Sequence, residues 1–79
     1  MENIKLIWDF RGPSSQHTAK HFKVHLLAFF EGEQIEWDSC GVEVVNSVFH
    51  YTYVITNKIH LELIKSALKP HRAQLVKAV

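Results

Sequence analysis

The sequence predicts an α+β fold: a four-stranded antiparallel sheet with two helices on one face, built in the order strand, helix, strand, strand, helix, strand (βαββαβ). Three observations carry this reading. NIKLIWDF, residues 3–10, alternates with the period of two that belongs to a half-buried strand. Two later stretches space their apolar residues by three and four, as one face of a helix does. Between them lie IEWDSCGVEVV and VFHYTYVIT, two strand-like runs separated only by Asn46 and Ser47.

Each element has its own local reason. In the first strand Ile4, Leu6, Trp8 and Phe10 share one side, and Lys5, Ile7 and Asp9 the other. RGPSS breaks the strand, and Ser14 or Ser15 can cap a helix whose stripe is Ala19, Phe22, Leu26, Phe29 and Phe30. Gly32 is the expected C-terminal stop. The Asn46-Ser47 pair suits a hairpin turn, and in the third strand the aromatic side, Phe49, Tyr51, Tyr53 and Ile55, is expected to meet the core. Thr56 or Asn57 can cap the second helix, with Leu61, Ile64, Ala67 and Leu68 as its stripe and Pro70 as its stop. RAQLVKAV is the expected last strand.

A chain of 79 residues forms one domain, 1–79, near the lower size at which a core holds without a disulfide or structural metal. No apolar run approaches the length of a membrane span, and MENIKLIWDF lacks the basic start and long apolar stretch of a secretion signal, so a cytoplasmic location is expected. The single cysteine, Cys40, has no internal disulfide partner and no neighbouring cysteine for a metal knuckle. A net charge of +1 does not imply nucleic acid, which is not expected as a partner.

The order of elements is similar to the ferredoxin-like arrangement, two split βαβ units with both helices on one face of the sheet. That resemblance covers nearly the whole chain as topology, which many functions share. The combination of WDFRGP, a histidine-bearing first helix and LKPHR also resembles that of small bacterial proteins to which no activity is attached.

This topology brings the first strand–helix turn, the central hairpin and the second helix–strand turn to one end of the sheet. Asp9, Arg11, His17, His50, His71 and Arg72 are expected there, with His21 one turn along the first helix. The leading functional expectation is a binding or regulatory domain without a cofactor. Its site for an anion or small ligand would be formed by Arg11, Ser14, Ser15, His50, His71 and Arg72, with the free amides at the helix start attracting negative charge. GPSS lacks the glycine and lysine pattern of a phosphate-binding loop. The competing expectation is structural: Arg11 pairs with Asp9 or Glu43, and Arg72 decorates a strand end.

Three other chemistries fit parts of the sequence. His17 and His21, with His25 or His71 as a third ligand, could hold zinc or another divalent metal, and Asp9 could orient a histidine base for acid–base catalysis. No HExxH pattern or recognisable nucleophile supports an enzyme. YTYV, Tyr51 to Val54, is similar to the aromatic core of the RNP1 strand in RNA-recognition domains, although Phe49 and His50 stand where a basic-Gly pair belongs and LIWDF is a poor RNP2. The face of the sheet that carries the tyrosines discriminates between packing and RNA binding. The uncovered face, with Ile7 beside Lys5 and Asp9, is also where a homodimer is expected.

Overall fold

The computed structural model describes residues 2–76. Its elements are β1 (Asn3–Arg11), α1 (Ser15–Gly32), β2 (Trp37–Asn46), β3 (Phe49–Asn57), a short 3-10 turn (Lys58–His60), α2 (Leu61–Leu68) and β4 (Arg72–Val76). Residues 77–79, the end of the expected last strand, lie outside the described residues. The four strands form one sheet in the order β2-β3-β1-β4, with every neighbouring pair antiparallel. Hence β1 and β2, joined by α1, run parallel with β3 between them. Likewise β3 and β4, joined through α2, run parallel with β1 between them.

Both helices cover the same face. Ile4, Leu6 and Trp8 of β1 form one buried cluster with Leu26 and Phe30 of α1, Ile64 of α2, Val54 of β3 and Ile35, while Phe22, Phe29, Leu61 and Leu68 are partly buried against it. The expected apolar stripe of α1 therefore holds, whereas Ala67 of the α2 stripe is exposed. Trp8 fastens the second helix: its indole Nε1–H donates to the Leu68 carbonyl at 2.9 Å.

The third strand faces the other way from the sequence expectation. Its even-numbered residues, His50, Thr52, Val54 and Thr56, are buried under the helices, and Phe49, Tyr51, Tyr53 and Ile55 lie half-buried on the opposite, open face. Register explains why. Residues directly paired across antiparallel strands share a face, and Leu6 pairs with Val54 and Trp8 with Thr52. The buried polar groups are satisfied from outside the strand: Thr52 Oγ1 donates to the Ala19 carbonyl at 2.8 Å, and Thr56 Oγ1 to the Glu36 carbonyl at 2.7 Å. A hydroxyl with a partner is inexpensive to bury.

Helix and turn boundaries also differ in detail. Ser14 occupies the N-cap of α1 but makes no side-chain cap bond. At the other end Gly32 is still helical, and the left-handed residue is Gln34 at φ 56°. Ile35 N–H donates to Phe30 O at 2.8 Å and Gln34 N–H to Glu31 O at 3.1 Å, the two bonds of a Schellman motif. Both Ile35 and Phe30 sit in the core, so the stop is fixed by a hydrophobic residue three positions beyond the glycine. The hairpin turns at Ser47 and Val48, with Asn46 Oδ1 accepting from Val48 N–H. Asn57 Oδ1 accepts from Ile59 N–H and caps the 3-10 turn that leads into α2. After α2, Lys69 is left-handed and Pro70 follows. Among the described residues, no helix is long and apolar enough to cross a membrane.

Candidate functional site

Of the polar residues expected at one end of the sheet, Asp9, Arg11, His50, His71 and Arg72 lie there, divided between its two faces. Main-chain bonds join the loops: Gly12 N–H donates to Val48 O at 2.8 Å, and His71 N–H to Ile7 O at 2.9 Å. His71 then extends the ladder with its side chain, its Nδ1 accepting from the Asp9 amide at 2.8 Å just beyond the last β1–β4 pair, Ile7 and Arg72. An imidazole nitrogen here replaces a missing backbone carbonyl.

On the helix side, Ser15 and His50 form a buried pair, with Ser15 Oγ 2.6 Å from His50 Nδ1. The pairing turns the Ser15 hydroxyl into the protein, and the Ser15 amide is already bonded to Gly12 O at 3.0 Å. At 1% and 4% exposure neither side chain meets a ligand from solvent in this conformation, so the pair joins the start of α1 to β3. Removing the hydroxyl strands a buried ring nitrogen, and Ser15→Ala should cost about 1–3 kcal/mol in urea unfolding. A change near zero would show that His50 has another partner of equal worth.

Arg11, Asp9 and Arg72 belong to the open face. Arg72 clasps Asp9 with two bonds, Nε to Oδ2 at 3.0 Å and Nη2 to Oδ1 at 2.8 Å, and so fixes the direction of its guanidinium. Asp9, expected to pair with Arg11, is thus taken by Arg72 across 63 positions of sequence. Arg11 instead lies over the ring of Phe49, 3.9 Å from its centroid. The helix-start residues Ser14 and Ser15 and the two arginines are not gathered around one point.

The open face has a feature that the anion reading of the sequence missed. Phe49, Tyr51, Tyr53 and Ile55 run down β3 beneath a set of cations: Arg72 lies 5.4 Å from the Tyr51 centroid, and Lys5 Nζ lies 4.8 Å and 5.6 Å from Tyr53 and Tyr51. These are cation–π distances. Gly41, opposite Tyr53, makes room for the ring, because a side chain there would meet the Tyr53 hydroxyl at 3.0 Å. Ile7 is also on this face but is buried, flanked by its pairing partners Tyr53 and Arg72, and so adds no exposed apolar area. Glu43 stands opposite Tyr51 on β2. The signal in the sequence was the aromatic alternation of FHYTY read together with Lys5 and Arg11 at matching positions of β1.

His17, His21 and His25 form an exposed row along α1. The rings of His17 and His21 lie parallel, 6.4 Å apart, and those of His21 and His25 meet edge to face at 4.7 Å. Among the described residues, no three His, Cys, Asp or Glu side chains are placed to hold one metal ion. Cys40 points to the helix side and is partly buried against the core; desolvation pushes its thiol up, and the nearby Lys23 only partly opposes this. Such a thiol is a poor nucleophile. A shallow groove of about 540 Å³ at the opposite end of the sheet, lined by Leu27, Glu31, Ile35, Glu36 and Trp37, contains none of the expected site residues.

Comparison with protein-family models, curated proteins and solved structures finds no match for this chain.

Proposed function

We propose that this is a cytoplasmic binding module of ferredoxin-like topology, whose open sheet face receives a short single strand of nucleic acid. One observation carries the reading: three aromatic side chains at alternate positions of β3 lie outside the helices, with Lys5, Arg11 and Arg72 over their rings. Bases stack on such rings and phosphates pair with such cations, and both act on any extended strand laid across a flat surface. The anion expected at the Arg/His end is then a phosphate of that strand, met by Arg11 or Arg72 at the hairpin edge of the face. Asp9 orients Arg72 and, with Glu43, keeps the face from being uniformly positive, which favours a ligand with rings as well as charge.

Fluorescence anisotropy with labelled single-stranded RNA and DNA octamers tests this. Stacking is worth about 1–3 kcal/mol per base, so Tyr51→Ala and Tyr53→Ala should each weaken binding at least about fivefold. With two or three phosphates neutralised, the slope of log K against log salt should be about −1.4 to −2.1. Sedimentation alongside tests the homodimer expected through this face, which would bury the same rings and compete with the oligonucleotide. Absence of binding at low salt, or binding untouched by both tyrosine substitutions, would reject the proposal.

A further inference from the structure

We infer that His21 and His25 form a two-imidazole chelate for a late first-row divalent metal ion, Cu²⁺ in particular. The site lies on the exposed side of α1, across the domain from the open sheet face, and does not depend on what that face binds. Its basis is one distance. The two Nε2 atoms are 3.1 Å apart, one helical turn from each other on the same surface line.

Imidazole nitrogens bind such ions at about 2.0–2.1 Å. Two nitrogens 3.1 Å apart therefore subtend about 98° at an ion bound equally to both, between the right angle of a tetragonal site and the wider tetrahedral angle. Rotation of the two exposed rings about their side-chain bonds turns both lone pairs toward such an ion. Without metal, one Nε2–H donates to the other Nε2; with metal, both rings carry their proton on Nδ1 and present two lone pairs. The proton displaced from Nε2 moves to the exposed Nδ1 of the same ring through solvent.

The pair differs from the one expected from spacing alone. His17 and His21 have the same separation in sequence, but their rings stand parallel with centroids 6.4 Å apart, whereas His21 and His25 converge at 4.7 Å. With no third donor gathered on the described residues, the remaining coordination positions belong to water or to an incoming ligand. Tetragonal preference and the order of divalent affinities at nitrogen sites both point to Cu²⁺ ahead of Zn²⁺.

Isothermal titration of the whole protein with Cu²⁺ and with Zn²⁺, in a non-chelating buffer, tests the assignment. One Cu²⁺ should bind per chain, more tightly than Zn²⁺, with affinity falling in acid because protons compete for both imidazoles. His21→Ala and His25→Ala should each weaken Cu²⁺ at least tenfold, and His17→Ala should leave it within twofold. All three residues are exposed, so unchanged far-ultraviolet circular dichroism can verify that the variants fold. Long-range nitrogen–proton NMR with diamagnetic Zn²⁺ should move the Nε2 signals of residues 21 and 25. A tenfold loss in His17→Ala, or Cu²⁺ binding that survives His25→Ala, would overturn the pair.

Discussion

Phe30→Ala should lower the stability of the domain by about 3–5 kcal/mol, through lost burial and the cavity left behind. Phe30 is completely buried, sits among Leu6, Leu26 and Val54 in the core cluster, and supplies the carbonyl that Ile35 needs to end α1. Native domains hold about 0.05–0.15 kcal/mol per residue, or roughly 4–12 kcal/mol for 79 residues. One substitution thus removes a large part of the total. Phe29, the adjacent ring, is only partly buried, and Phe29→Ala should cost clearly less in the same urea titration. If the order of the two were reversed, the face assigned to α1 would be wrong.

Trp8→Ala should have a comparable effect, about 3–5 kcal/mol, with a local consequence that Phe30 does not share. Its ring lies 5.1 Å from that of Phe22 and its N–H holds the last turn of α2 at Leu68. The chain continues from Leu68 through Lys69 and Pro70 to His71 and Arg72. Loosening that joint should therefore disturb the Asp9 amide and the Arg72 side chain in NMR spectra. Trp8→Phe keeps a six-membered ring but removes the donor together with part of the indole's volume, and should cost less than Trp8→Ala. Should Trp8→Phe prove as damaging as Trp8→Ala, the pyrrole edge of the indole with its hydrogen bond, and not the six-membered ring, would be the principal tie.

The order of elements was readable because apolar spacing reports secondary structure directly. Alternation in FHYTYVIT marks a strand, but it does not say which side is inward. Bulk suggested the aromatic side. The decision was made by residues far away: Ser15, Ala19 and Glu36 supply partners that let His50, Thr52 and Thr56 be buried, while Leu6 and Trp8 of β1 impose their face through register. None of those contacts has a local sequence signature. A similar limit applies to Asp9 and Arg72, whose convergence follows from topology but whose pairing follows from side-chain direction. Of three histidines at equal spacing the sequence reading favoured His17 and His21, and only ring orientation separates His21 and His25 from His17.

The place of β1 between β3 and β4 has a consequence in time. As the chain is synthesised, the first of these four strands to emerge is a central one that needs two neighbours, and neither exists until most of the domain has followed. Asn3 pairs with Asn57, and Ile7 with Arg72. The β2–β3 hairpin needs only a two-residue turn at Ser47 and Val48, so it can form while β1 waits with Leu6 and Trp8 uncovered. Closing such long loops carries an entropic cost before any contact repays it, and distant pairings slow folding. Residues of the hairpin should accordingly be structured early in the folding transition state, and those joining β1 to β4 late.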